Sequence, residues 1–207
     1  MLKTISLAPI LVVWLAAAPS AAEHADELLA GFQHWLDGTR DLSGEFEQEL
    51  LSGAMGTGIE ESGRWFLRRP GQLRFDYQRP ERKVAVVNGT ETMLWIEADE
   101  YAERGTLDAQ NDLLVALLTA DRPLHELFSA GIDVEPVRRG RTRLRLLPIL
   151  EQEALTELIL TVPADGSGLD AVEVLDAGGN RMLYRFHRVR RNRGVPEELF
   201  DFEPPGD

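Results

Sequence analysis

An antiparallel β-sheet of about eleven strands, curled into an unclosed half-barrel and covered by helices, is the fold this sequence predicts. Three observations predict it. From residue 42 to residue 104, and again from 132 to 190, apolar residues recur at every second position in short runs, the period of a half-buried strand. Turn signals punctuate these runs, with Asn88-Gly89 the strongest hairpin signature in the chain. Helical periodicity is confined to three short stretches. So many strands exceed what a flat sheet tolerates, so the sheet has to bend, and its concave apolar face needs a cover.

The elements follow in order. Lys3, an apolar run over 5–18 and the small residues Ala18, Pro19, Ser20, Ala21 and Ala22 read as a signal peptide over 1–22, cut after Ala22. Its apolar core, bracketed by Pro9 and Pro19, is short of the roughly 20 residues that a membrane span needs. The remainder, 23–207, reads as a single domain. Within 24–41, Leu28, Leu29, Phe32, Trp35 and Leu36 fall on one face of an amphipathic helix. A strand follows over 42–50, then a glycine-rich turn over 52–58. Further strands are expected over 63–68, 72–78, 83–87 and 92–97. Asn111 then offers a good N-cap to an apolar helix, and a second short helix over 123–130 starts at a proline and stops at Gly131. Strands resume over 132–137, 141–147, 154–161, 169–175 and 182–190. The segment 198–202 reads as a closing strand stopped by Pro204-Pro205. The helices near 26–38 and 111–130 are the candidate lid or plug.

Composition narrows the function. Asp and Glu number 35 against 22 Lys and Arg, a balance that repels phosphate backbones and anionic membrane surfaces, so nucleic acid is excluded as a partner. The 207 residues contain no cysteine, which removes disulfides, thiolate chemistry and the lipid-bearing cysteine of an anchored lipoprotein. His24, His34, His125 and His187 lack metal-ligand spacing, and no serine sits in a nucleophile elbow. No metal, no cofactor and no catalytic residue is assigned, and no enzyme is expected; scattered carboxylates leave an extracytoplasmic hydrolase as the reading from another class. Arg141, Arg143 and Arg145 alternate with Thr142, Leu144 and Leu146 and read as the solvated outer face of a strand, with a docking patch for an acidic partner as the functional alternative.

The apolar side chains are more telling. Trp65 and Leu67, then Leu73, Phe75 and Tyr77, then Val84 and Val86, then Met93 and Trp95 occupy alternate positions on successive strands. Placed together on the concave side, and roofed by Leu114, Leu117 and Leu118 of the lid, they would line a cavity for an apolar ligand rather than a reaction centre.

These residues resemble the periplasmic outer-membrane lipoprotein carrier family LolA. The likeness rests on Phe46-Glu47-Gln48 after the first helix, the strand from Gly63 through Trp65 to Leu67, Arg69-Pro70 followed by Phe75-Asp76-Tyr77, and Pro80. Asn88-Gly89 leading to a tryptophan strand, and Phe200 to Pro205 at the end, complete it. Leu73 and the Ile96-Glu97 pair after Trp95 depart from the usual pattern and bear on the shape of the cavity. The resemblance implies an unclosed barrel with a helical lid, working in the periplasm as a soluble monomer. It implies that the protein binds the acyl chains of triacylated lipoproteins and carries them from an inner-membrane ABC transporter to an outer-membrane acceptor. It also implies that Arg69, with Arg68 as the next candidate, helps to close the lid. The family's acceptor shares the architecture, but the missing cysteine argues against it; a related periplasmic lipid-binding, glycolipid-binding or sensor protein of the same fold is the alternative.

Overall fold

A computed structural model describes residues 20–52, 58–107, 113–119, 122–133, 137–149 and 155–205. Helix α1 (Ala21–Asp37) opens on a capping box: the Ser20 hydroxyl accepts from the Glu23 amide at 3.2 Å, while the Glu23 carboxylate accepts from the Ser20 amide at 2.6 Å. Its buried face is Ala25, Leu28, Leu29, Phe32, Trp35 and Leu36. Eleven strands follow, all in one antiparallel sheet: β1 (Asp41–Leu51), β2 (Gly58–Arg68), β3 (Gln72–Arg79), β4 (Lys83–Asn88), β5 (Glu91–Ile96), β6 (Tyr101–Thr106), β7 (Phe128–Ile132), β8 (Arg141–Pro148), β9 (Leu155–Pro163), β10 (Ala171–Asp176) and β11 (Arg181–Arg191). Between β6 and β7 lie two short helices, α2 (Leu113–Thr119) and α3 (Leu124–Leu127). The spatial order is β6-β5-β4-β3-β2-β1-β11-β10-β9-β8-β7, so two meanders are joined where β1 pairs with β11 and the sheet does not close on itself. No helix among the described residues is long and apolar enough to cross a membrane.

The main core fills the concave face. It runs from Trp65, Leu67, Leu73 and Phe75, through Phe46, Tyr184 and Phe186, to Leu144, Leu146, Leu158, Leu160 and Val172. Helix α1 plugs the β7–β8 end of this trough. Gly31 and Gly166 let it press on the β9–β10 turn: a Cβ on Gly31 would lie 2.6 Å from the Asp165 carbonyl, and one on Gly166 would lie 2.7 Å from the Phe32 amide. At its C-terminus Arg191 donates to the Trp35 carbonyl at 2.8 Å and to the Thr39 hydroxyl at 2.7 Å. Helix α1 is therefore a fixed plug. Helix α2 packs on β2 and β3 instead, through Leu117 and Leu118, which are fully buried, and the Gly71 amide donates to the Thr119 carbonyl at 3.3 Å.

Four elements differ from the sequence expectation. The helix expected over 123–130 is only α3, because Phe128 turns extended (φ −136°, ψ 144°) and pairs with Pro148; Gly131 lies inside β7 rather than stopping a helix, and of the strand expected over 132–137 Ile132 ends β7 while 134–136 lie outside the described residues. β6 is an additional strand, fully exposed along its length. The expected closing strand over 198–202 is instead a 3-10 helix (Glu197–Phe200) that continues as a strap across the convex face. The segment cannot pair with the strand that precedes it, since β11 is already flanked by β1 and β10. Phe200 and Phe202 pack there with Phe66, Val84, Val86 and Met93 in a second cluster separate from the main core. Finally, the arginines of β8 are not simply solvated. Arg143 lies between Asp133 (2.7 Å) and Glu173 (3.2 Å), and Arg145 reaches Glu157 at 3.2 Å, so these cations are used in ion pairs along the convex wall.

Candidate functional site

Register decides which side chains face the trough. Trp65 is opposite Phe75, Phe75 opposite Ala85, Ala85 opposite Leu94; one row along, Leu67 is opposite Leu73, Leu73 opposite Val87 and Val87 opposite Thr92. Directly paired residues share a face, so Trp65, Leu67, Leu73, Phe75 and Tyr77 are concave; Leu73, Phe75 and Tyr77 border a cavity, whereas Trp65 and Leu67 are fully buried in the main core. Val84, Val86, Met93 and Trp95 lie on the other face, although Val86 and Met93 still border the cavity between β3–β5 and α2. They belong to the alternate rows with Arg64, Phe66, Arg74 and Asp76, and they point outward under the strap, where Trp95 lies 5.9 Å from the Phe202 ring. Ala85, Val87, Thr92 and Leu94 take their place in the trough. Leu117 and Leu118 reach the core from α2; Leu114 falls within α2, but its side chain lies outside the described residues.

Between β3–β5 and α2 the structure leaves a cavity of about 450 Å³, lined by Leu73, Phe75, Tyr77, Ala85, Val86, Val87, Met93, Leu94 and Val115, with Tyr184 at one side and Thr92, Glu103 and Gly105 at the β5–β6 edge. Larger depressions of about 560 Å³ beside the strap and about 640 Å³ at the β1–β2 rim are lined largely by charged and polar groups and suit no apolar ligand. The aromatic floor is tightly interlocked. Phe46 meets Phe75 and Tyr77 edge-on, each with ring centroids 5.0 Å apart, the geometry that aromatic quadrupoles favour.

One polar group sits in this floor. The Tyr77 hydroxyl donates to Gln48 Oε1 at 2.8 Å and shares a hydrogen bond with Tyr184. Lys83 Nζ lies 4.4 Å from the Tyr77 ring centroid and pairs with Glu61. Burial pushes both phenols well above the ordinary tyrosine range, and the negative charge of Glu61 adds to this. Sequence reasoning missed Gln48 and Tyr184 as site residues, although the alternation of β1 and β11 would have put both on the inner face.

Arg69 stands half-buried in the turn between β2 and β3. Its amide donates to the Arg40 carbonyl at 2.8 Å. Two residues on, Gly71 (φ 75°) makes the bond to the end of α2 already described. Among the described residues no group of three or more histidines and carboxylates could hold a metal ion.

Comparison with known proteins agrees with this geometry. The model of the family described as outer membrane lipoprotein carrier protein LolA matches residues 37–203. An outer-membrane lipoprotein carrier protein of Xanthomonas campestris pv. campestris is 28% identical over 197 residues, covering 91% of each chain. Those of Cupriavidus pinatubonensis and Methylococcus capsulatus are 25% and 24% identical, covering 97% and 83% of this chain and 93% and 81% of their own. Among solved structures, an uncharacterized conserved protein from Thermus thermophilus aligns with TM-score 0.55 at 11% identity, covering 88% of this chain and 95% of its own. A DUF1329 family protein from Desulfovibrio piger aligns with TM-score 0.52 at 11% identity, covering 88% and 98%.

Proposed function

The chain belongs to the LolA family of outer membrane lipoprotein carrier proteins, and from that premise we propose that it carries triacylated lipoproteins across the periplasm, from an inner-membrane ABC transporter to an outer-membrane acceptor. The observation that carries this reading is the apolar cavity between the concave sheet and α2. At roughly 30 Å³ per water-sized group, its volume of about 450 Å³ takes on the order of 15 methylenes, one acyl chain. A triacylated cargo needs more, so α2 lifts on loading.

Shielding is the purpose. Each methylene withdrawn from water is worth about 0.8 kcal/mol, so long acyl chains do not cross an aqueous compartment unaided. Release is equally required, and a lid that competes with cargo for the same trough keeps binding reversible. Here α2 is the moving part and α1 the fixed plug. Arg69, at the turn that touches the end of α2, acts to hold the lid closed in the empty state. The protein reaches the periplasm by the signal over 1–22, whose removal takes the Ser20 cap and the first two residues of α1 with it, and works there as a soluble monomer, without a cofactor and without chemistry of its own.

Native mass spectrometry of the mature protein from its periplasm, with and without an overproduced lipoprotein, tests this. A one-to-one complex that requires the cargo's acyl chains is expected. A protein that returns without lipoprotein under both conditions overturns the proposal.

A further inference from the structure

The convex side of the seam between β1 and β11 concentrates positive charge that the fold does not use up. The chain holds 35 Asp and Glu against 22 Lys and Arg, yet between Asp176 and Glu197 it has six arginines and no carboxylate. Four of the six are employed inside the molecule. Arg181 pairs with Glu173, Arg185 with Glu49 at 3.2 Å and Arg188 with Glu45 at 2.6 Å, while Arg191 holds the end of α1. Arg190 and Arg193 are exposed and form no ion pair among the described residues.

Two more arginines join them. Arg190 is opposite Ser43, which is opposite Phe66, so Arg190 shares the convex face with Phe66. Arg64, two residues before Phe66 on that face, lies with its guanidinium 5.2 Å from the Phe66 ring centroid. Its cross-strand neighbours Glu45 and Asp76 are already committed to Arg188 and Arg74. Arg64 and Arg190 thus flank β1, about 10 Å apart across the sheet at the usual strand spacing. Arg40 is exposed just before β1 and likewise forms no ion pair among the described residues.

The backbone beneath these side chains is fixed. The Asn192 side chain accepts from the Arg40 amide at 2.8 Å and donates to the Gly38 carbonyl at 2.9 Å, and Asp41 accepts from the Arg193 amide at 2.8 Å. Arg188 (φ 52°) and Asn192 (φ 56°) both adopt the left-handed conformation, which a side chain makes unfavourable and which the bonds across the seam sustain. Guanidinium groups held in this way take carboxylates two-pronged. An anionic bilayer is the poorer match. An extended anionic plane meets the field of the whole molecule, whose net charge is −13, whereas a slender acidic segment senses only charges within a Debye length of about 8 Å.

We propose that Arg40, Arg64, Arg190 and Arg193 form a docking surface for an acidic segment of a protein partner. This goes beyond the carrier reading, because the surface lies on the opposite face of the sheet from the trough and leaves the trough free for cargo.

The test is fluorescence anisotropy of a labelled hexaglutamate peptide titrated with the purified mature protein at low ionic strength. Binding is expected, and it falls steeply as salt is raised. Arg64→Glu, Arg190→Glu and Arg193→Glu together weaken it by about tenfold or more, the order expected for three exposed charge pairs. Reversal of Arg138 and Arg139, exposed on the turn before β8 and three strands from β11, leaves it unchanged. Arg190→Gln with Arg193→Gln, which adds no repulsion, weakens it by a smaller factor and stands in should the triple variant fail to fold. A peptide that ignores the unaltered protein, or that loses affinity equally with either set of reversals, overturns the proposal. So does tighter binding to phosphatidylglycerol vesicles than to the peptide, which assigns the patch to a membrane surface instead. Every variant keeps its affinity for a fluorescent acyl probe; loss of that affinity in the triple and the double variant alike overturns the separation of the surface from the trough. If the unaltered protein itself binds no acyl probe, the carrier reading fails and the docking surface stands.

Discussion

Leu94→Glu isolates the cavity from the fold. Leu94 is half-buried on β5, opposite Ala85 on one side and Glu103 on the other, and it lines the cavity of about 450 Å³. In the empty protein the new carboxylate reaches water through the cavity's open side and costs little. In the loaded protein it lies against hydrocarbon, where an unpaired charge is too costly and the group takes up a proton instead. Protonating a carboxyl of ordinary pKa near 4.3 at about pH 7 costs ~3.7 kcal/mol, so affinity for an acyl ligand falls by up to about 500-fold. The neighbouring Glu103 opposes ionisation and reduces this figure. The penalty shrinks roughly tenfold for each pH unit below about 7, since the proton is supplied by solvent. Displacement of a bound fluorescent acyl probe, followed between about pH 5 and about pH 8, measures it. Phe66→Glu is the control: Phe66 packs against Val86, Met93 and Phe200 on the convex side and lines no part of the cavity, so there the expected result is loss of thermal stability. A Leu94→Glu protein whose ligand affinity is unchanged, or lowered equally at every pH, refutes the assignment of Leu94 to the cavity wall.

Three further outcomes are expected. Arg69→Leu weakens closure of α2, so a loaded protein retains its lipoprotein when offered an acceptor; unchanged transfer in a reconstituted assay removes Arg69 from the lid. Phe200→Ala costs about 3–5 kcal/mol of stability, read by urea unfolding, because its ring is 2% exposed in the strap cluster; acyl binding on the opposite face is retained. Burial holds Tyr77 and Tyr184 protonated in the folded protein far above the pKa of about 10 that they have when unfolded. Their raised folded values give a contribution fully present below about pH 10 and lost as pH rises beyond it, at up to ~2.7 kcal/mol per pH unit for the pair. Tyr184→Phe halves that slope in unfolding titrations; an unchanged slope counts against the buried phenols.

The sheet was legible because period two survives wherever one face is wet. It was ambiguous where both faces are dry. In β4, Lys83-Val84-Ala85-Val86-Val87 is apolar on either side, so bulk alone favoured Val84 and Val86 for the cavity, and Met93 and Trp95 followed them. Only the register across the Asn88-Gly89 turn, with Val87 opposite Thr92, shows that the smaller Ala85 and Leu94 face inward. The cause lies more than a hundred residues away: the strap carrying Phe200 and Phe202 dries the convex face, and nothing in β4 or β5 announces it. β6 went unread for the opposite reason, being fully exposed and without an apolar stripe. Phe128 to Ile132 went unread because pairing with β8 outweighs the helical start at Pro123. Gln48 was visible only as part of a family motif; its meaning depends on Tyr77 and Tyr184, which meet it from β3 and β11.

The seam between β1 and β11 has a consequence for how the chain acquires its shape. Every other strand pair joins neighbours in sequence, whereas Leu42 must find Arg191. Emerging from its N-terminus, the chain completes β1 to β6 as a local meander long before β11 exists, and β1 waits as a bare edge beside an uncovered row of aromatic side chains. That half is sticky in the way its own cargo is. The last strand both finishes the fold and ends this interval, so a truncation that removes β11 is expected to aggregate rather than to leave a smaller working carrier. A protein suited to escorting greasy passengers is, for the duration of its own synthesis, in need of an escort.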